Sequence, residues 1–186
     1  SQKEGYRALT LMEKRKDGQL IVSVPTASGQ IPLIILMKSL GMEKDEEIYN
    51  AIVSAPEMAN IVYANIEECQ NKKNYPPNGI FTKDDAINYL EKKFATGQAK
   101  EYRIKKVESI LDRSLLPHLG DTREDRIKKA IFLGRVARTI LELSLGNRRE
   151  DDKDHYANKR LKLAGDLMED LFRVAFANVI KDLKYP

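Results

Sequence analysis

The run Ile31-Pro-Leu-Ile-Ile-Leu-Met37 constrains this chain most. It is the longest uninterrupted apolar stretch in 186 residues, and it is bounded by Pro32 near its start and Gly41 just past its end. Seven apolar residues fall far short of the roughly 20 that a membrane-spanning helix needs, so no membrane span is expected. Proline suits a first helical position and glycine a C-terminal cap, so the run reads as a short, wholly buried helix. A helix apolar on every side must be surrounded, and the rest of the chain has to supply the elements that cover it.

Two runs rich in Ile, Val, Leu and Thr precede it, at 6–11 and 19–25. They are joined through Asp17-Gly18, which can take positive φ, and they predict a β-hairpin. Beyond Gly41 the pattern is helical at 45–53, 57–72, 82–94, 100–113, 125–145 and 159–183. Thr82-Lys-Asp-Asp85 and Thr122-Arg-Glu-Asp125 match capping-box spacing and mark two helix starts. The fold class is therefore α+β and mostly helical, an N-terminal β-hairpin followed by a helical majority. The polar, turn-rich connector at 71–79 divides the expected domain, 6–186, into sub-lobes at 6–70 and 80–186.

A chain with 42% hydrophobic and 32% charged residues can bury a real core without metal or disulfides. One cysteine, Cys69, excludes an internal disulfide framework. With only His118 and His155 present, no Cys/His zinc site can be assembled from the chain. A reducing, cytoplasmic setting is the expectation. The chain opens without Met and stops inside an apolar helical pattern at Pro186, so both ends are expected to be boundaries within a longer protein. The net charge of +4 is uneven: 12 Lys+Arg face 13 Asp+Glu in 1–93, against 20 and 15 in 94–186. That excess fits either a nucleic-acid face or a solvated helical surface.

Ile127, Ile131, Ala137, Ile140 and Leu141 form a stripe near helical spacing and read as core, as do Ala164, Met168, Leu171, Phe172 and Ala175. His118, in the apolar turn Leu115-Leu-Pro-His-Leu-Gly120, reads as a histidine satisfied by backbone partners. No Ser or Cys sits in a nucleophile elbow, and no glycine-rich phosphate loop occurs.

The segment Arg148-Arg-Glu-Asp-Asp-Lys-Asp-His-Tyr-Ala-Asn-Lys-Arg160 has no apolar period. Asp151, Asp152 and Asp154 could hold Mg2+ in a free-standing transferase, but they lack helical spacing, a second acidic motif and the glycine and glutamate of a calcium loop. No cofactor and no metal are expected. The cations Arg148, Arg149, Lys153, Lys159 and Arg160 fit phosphate or base contacts, with the carboxylates orienting them. The same spacing fits acidic residues favouring the N-terminal end of the next helix, with the basic side chains solvated.

The run Asp151-Asp-Lys-Asp-His-Tyr-Ala-Asn-Lys-Arg-Leu-Lys-Leu-Ala-Gly165 closely resembles a signature of the second-largest subunit of multisubunit DNA-directed RNA polymerases. Gln30-Ile-Pro-Leu-Ile-Ile-Leu-Met-Lys-Ser-Leu-Gly41, Leu116-Pro-His-Leu119 and Lys128-Lys-Ala-Ile-Phe-Leu-Gly134 follow the order of the archaeal and eukaryotic versions. The closest likeness is the archaeal B or B-double-prime subunit, in its lobe domain.

The resemblance implies a surface that lines the DNA cleft, next to the other polymerase subunits. By motif position, Asp154, Lys159 and Arg160 would approach the non-template strand of the transcription bubble, with Lys153, Arg148 and Arg149 nearby. Many members carry Gly where Ala157 stands. Bacterial ones carry an apolar residue at Lys153 and Arg at Lys159, where lysine keeps the charge without the bidentate fork. The family's catalytic aspartates belong to the largest subunit, so no catalytic residue is expected in this chain. A second reading makes the exposed face a docking platform for transcription factors.

Overall fold

The computed structural model describes residues 9–25 and 29–146. The chain divides into two units at residue 148, and all described residues belong to the first. The predicted helix at 159–183 and the segment 148–160 lie outside the described residues.

The chain begins with an antiparallel sheet in the order β1 (Leu11–Lys14), β2 (Leu20–Ser23), β3 (Gln30–Pro32). Among the described residues six α-helices follow: α1 (Leu33–Ser39), α2 (Asp45–Ile52), α3 (Pro56–Gln70), α4 (Lys83–Phe94), α5 (Lys100–Ser109) and α6 (Arg126–Ser144). The α+β, mostly helical class is observed.

The hairpin is present, but β1 lies further along the chain than the sequence suggests, on residues that read as turn. Leu11 pairs with Ser23 and Lys14 with Leu20, leaving 15–19 as the loop. Gly18, at φ 89°, closes it by donating to the Arg15 carbonyl at 3.0 Å. β1 tolerates Glu13 and Lys14 because it is an edge strand with one face open to water. The charges also bind across the sheet: the Gln30 amide donates to Glu13 at 2.7 Å and accepts from Arg15 at 2.6 Å, tying β3 to β1 over β2.

β3 is not foreseen in the sequence. Pro32 ends it opposite Ile21, on an edge where proline's missing N–H is tolerated, and then serves as the N-cap of α1.

Every residue of α1 is buried, as its composition demands. Its end is a Schellman motif: Gly41 N–H donates to the Lys38 carbonyl at 3.0 Å and Met42 N–H to the Met37 carbonyl at 3.2 Å. Gly41 takes φ 106°, a conformation glycine adopts without a Cβ clash. β2, β3, α3, α4 and α6 pack against α1, and α2 joins the same core through Ile48 and Ile52. The helices before and after the 71–79 loop, α3 and α4, share this one cluster through Met58, Val62, Ala86 and Leu90.

The buried face of α6 differs from the expected stripe. Ala137 and Leu141 are buried, but Ile127 and Ile131 are each 41% exposed and Ile140 is half-buried. Arg126, Lys129, Ala130, Leu133 and Gly134 face inward instead. Apolar periodicity discards charged residues, and here two of them lie on the core side. No helix among the described residues is long and apolar enough to cross a membrane.

Candidate functional site

All six residues singled out in the sequence as nucleic-acid-proximal, Arg148, Arg149, Lys153, Asp154, Lys159 and Arg160, lie outside the described residues, as do Asp151 and Asp152. What the described residues show is how the three upstream motifs are used, and what surface they leave.

Lys38, in the first motif, is 1% exposed. Its ammonium donates to the Glu43 carbonyl at 2.7 Å, to Asp45 Oδ1 at 2.8 Å and to the Phe81 carbonyl at 3.0 Å. Those three acceptors fill the three donors of an ammonium, which is what lets the charge stay buried. The other Asp45 oxygen accepts from the Gln70 amide at 2.7 Å. One lysine thereby ties the end of α1 to the start of α2, the end of α3 and the entry to α4.

The second and third motifs meet. After α5 the chain makes a π-turn at Ile110–Ser114, closed by Leu115 N–H on the Ile110 carbonyl at 2.8 Å. Leu116 then adopts the left-handed conformation, φ 45° and ψ 57°, with its side chain buried. A non-glycine residue holds that geometry only when its surroundings over-determine it. Lys129 and Arg126 of α6 fix the π-turn that precedes it. Lys129, fully buried, donates to the Leu111 and Asp112 carbonyls at 2.9 and 2.6 Å. Arg126 grips Asp112 with Nε and Nη2 at 2.6 and 2.7 Å, a bidentate fork. Burial lowers the Lys129 pKa, while the Asp112 hydrogen bonds raise that of Arg126.

His118 sits just beyond. Rather than being buried among backbone partners, it is exposed, with its ring edge-on to Phe132 at 5.6 Å. Gly134, ending the third motif, lets α6 approach α2: a Cβ there would stand 2.9 Å from the Ala51 Cβ. One turn on, Arg138 donates to the Asn50, Ala51 and Ile52 carbonyls at 3.2, 3.1 and 3.0 Å, covering the C-terminal end of α2.

The buried cations of these motifs, Lys38 and Lys129, thus build architecture. Among the described residues no group of three His, Cys, Asp or Glu side chains comes together to hold a metal ion. Burial pushes the Cys69 thiol up to about 12, so it is protonated and unreactive at neutral pH.

A cleft of about 930 Å³ lies between the 74–80 loop, one face of α4 and the start of α5. Asp85, Asn88, Tyr89 and Lys92, at i, i+3, i+4 and i+7, present that face of α4. Tyr75 and Tyr89 meet edge to face at 5.4 Å, and burial raises the pKa of both. Lys93 sits 5.7 Å from the Tyr89 ring centre and donates to the Gln30 carbonyl. Lys100 and Arg103 close the opposite wall. Asp85 is committed to its capping box, accepting from Phe81 N–H and Thr82 N–H at 3.2 and 3.1 Å. This cleft is not visible in the sequence, because its residues are dispersed over three segments and carry no motif.

Comparison with known proteins accounts for the ordered motifs. Residues 1–162 match the family model described as RNA polymerase Rpb2, domain 2. The chain is 51% identical over 185 residues to the DNA-directed RNA polymerase subunit Rpo2N of Methanocaldococcus jannaschii, covering all of this chain and 36% of that protein. It is 44% identical to the Rpo2N subunit of Halobacterium salinarum, covering all of this chain and 34% of the relative. With the Rpo2 subunit of Saccharolobus solfataricus it shares 45% identity over 97% of this chain and 15% of that protein. The chain therefore spans about a third or less of the relatives it matches. Both the family model and these matches along the whole chain place it in the RNA polymerase Rpb2 domain 2 family, as a region of the second-largest subunit of an archaeal-type RNA polymerase.

Proposed function

We propose that this region serves as the lobe of the second-largest polymerase subunit, lining the DNA cleft and contacting DNA near the transcription bubble through the segment 148–160. The observation that carries the reading is the match to archaeal polymerase subunits along the whole chain, at 51% identity in one case. Lys38, Arg126 and Lys129 take no part in it, since these buried cations are engaged by protein acceptors and unavailable to phosphate. By the resemblance of their motif, the DNA-facing role is assigned to Lys159, Arg160 and Asp154, with Lys153, Arg148 and Arg149 beside them. On this reading the partners are DNA and the other polymerase subunits. The assembled enzyme performs nucleotidyl transfer in the cytoplasm, and this region contributes binding surface without a catalytic residue or cofactor of its own.

The test is charge reversal in the assembled polymerase. Lys159→Glu with Arg160→Glu is expected to weaken binding to a pre-melted bubble template. It should also flatten the dependence of log affinity on log salt by about 0.7 to 0.9 for each phosphate that is no longer neutralised. Unchanged affinity together with an unchanged slope would remove both residues from the DNA-binding surface.

A further inference from the structure

The cleft between the 74–80 loop, α4 and α5 is not used by the DNA reading, and one of its buried donors is left without a partner. Glu91 is 6% exposed, yet its one partner among the described residues is Arg103, whose Nε lies 3.8 Å away, beyond hydrogen-bond distance. Arg103 Nε itself is buried without a hydrogen bond, and Nη1 reaches only the Gln98 carbonyl, at 3.4 Å. Lys92 and Lys100 stand exposed at the rim with no ion pair among the described residues. Tyr75, Tyr89 and the Pro76-Pro77 pair give the wall between them apolar surface.

We propose that this cleft is a docking site for an acidic, extended peptide segment of a partner protein, carrying an aromatic or aliphatic anchor among its carboxylates. Charge selects the class: the two rim lysines favour an anionic ligand. The buried carboxylate then separates peptide from nucleic acid. Arg103 Nε needs an acceptor, which a peptide carbonyl or carboxylate supplies, while a peptide N–H can donate to the Glu91 carboxylate beside it. A phosphate offers acceptors alone, with no donor to set beside Glu91. Duplex DNA is excluded by size, because a concavity of about 930 Å³ is in the range that encloses a small ligand or a few residues of peptide. The tyrosines provide the amphipathic, low-entropy surface on which an anchoring side chain would rest.

The experiment uses the assembled polymerase that carries this region and fluorescence anisotropy with a labelled peptide of Asp and Glu around one Phe. Competitors are the same peptide with Phe replaced by Ala and an oligo-dT strand of matched length. Lys92 and Lys100 are exposed, so Lys92→Glu with Lys100→Glu leaves the fold intact, and a circular dichroism melt checks this. The peptide is expected to bind, to lose about tenfold in affinity in the double variant, and to prefer Phe over Ala only while Tyr89 is present. No binding, binding indifferent to the charge reversal, or oligo-dT displacing the peptide at lower concentration would overturn the proposal. Because none of these residues belongs to 148–160, failure here leaves the DNA reading standing, and failure there leaves this one standing.

Discussion

Lys128 and Lys129 are neighbours in one motif and have opposite fates. Lys128 is 65% exposed and pairs with Asp125 at 2.7 Å, whereas Lys129 is wholly buried on two carbonyls of the π-turn. Lys129→Met leaves those carbonyls without a donor and should destabilise the fold by about 1 to 3 kcal/mol, while Lys128→Met should leave the urea midpoint almost unmoved. Equal effects would show that the buried ammonium does not hold the turn. Asn65 has a parallel role. Its amide accepts from Leu20 N–H at 2.8 Å and donates to the Gly18 carbonyl at 3.0 Å, clamping the hairpin onto α3. Neither role was legible in the sequence, because polar residues on a core face carry no apolar signal and their partners are distant in the chain. Cys69 was legible as a lone thiol but not as an inert one. Its burial predicts that iodoacetamide labels it only after unfolding, and rapid labelling of the native chain would contradict the assigned core position.

At the scale of elements, local chemistry in the sequence was a good guide wherever a terminus is built from neighbours. The Thr82 and Thr122 starts, the glycine after α1 and the hairpin turn all depend on residues a few positions apart, and each is present. In the box at the start of α6, Asp125 accepts from the Lys128 ammonium and from the Thr122 hydroxyl, both at 2.7 Å, which lowers its pKa to about 2. In the box of α4, the Thr82 N–H is the leading cause holding the Asp85 pKa down. A carboxylate with a lowered folded-state pKa adds stability that is present above its unfolded value of about 3.9 and lost as pH falls toward 2. The urea midpoint should therefore drop across that window, and Thr122→Ala should flatten the drop. What local chemistry could not supply was depth. The three-residue β3 and the displaced β1 follow from edge positions set by the sheet, and the inward turn of α6 follows from the π-turn it anchors. Gly134 illustrates the point, since its need for no side chain comes from Ala51 of another helix. Gly134→Ala is expected to overpack that crossing and destabilise by about 1 to 3 kcal/mol, read from the urea midpoint.

At the scale of the whole molecule, one buried helix sets the plan. Strands β2 and β3 and helices α3, α4 and α6 pack against α1, and buried lysines tie the surrounding pieces to one another through backbone carbonyls. The α+β class and the family were both legible, the first from the single apolar run and the hairpin, the second from four motifs in fixed order. The peptide cleft was not legible, because it exists only once the 74–80 loop, α4 and α5 are folded together. The central claim is that this region works as part of an archaeal-type polymerase, and it is tested most directly by its company. The intact natural gene product, tagged and purified from its cells under mild salt, is predicted to bring the largest polymerase subunit and the assembly subunits with it when its stable companions are identified by mass spectrometry. Recovery of the protein by itself, with no polymerase subunit in stoichiometric amount, would contradict the account.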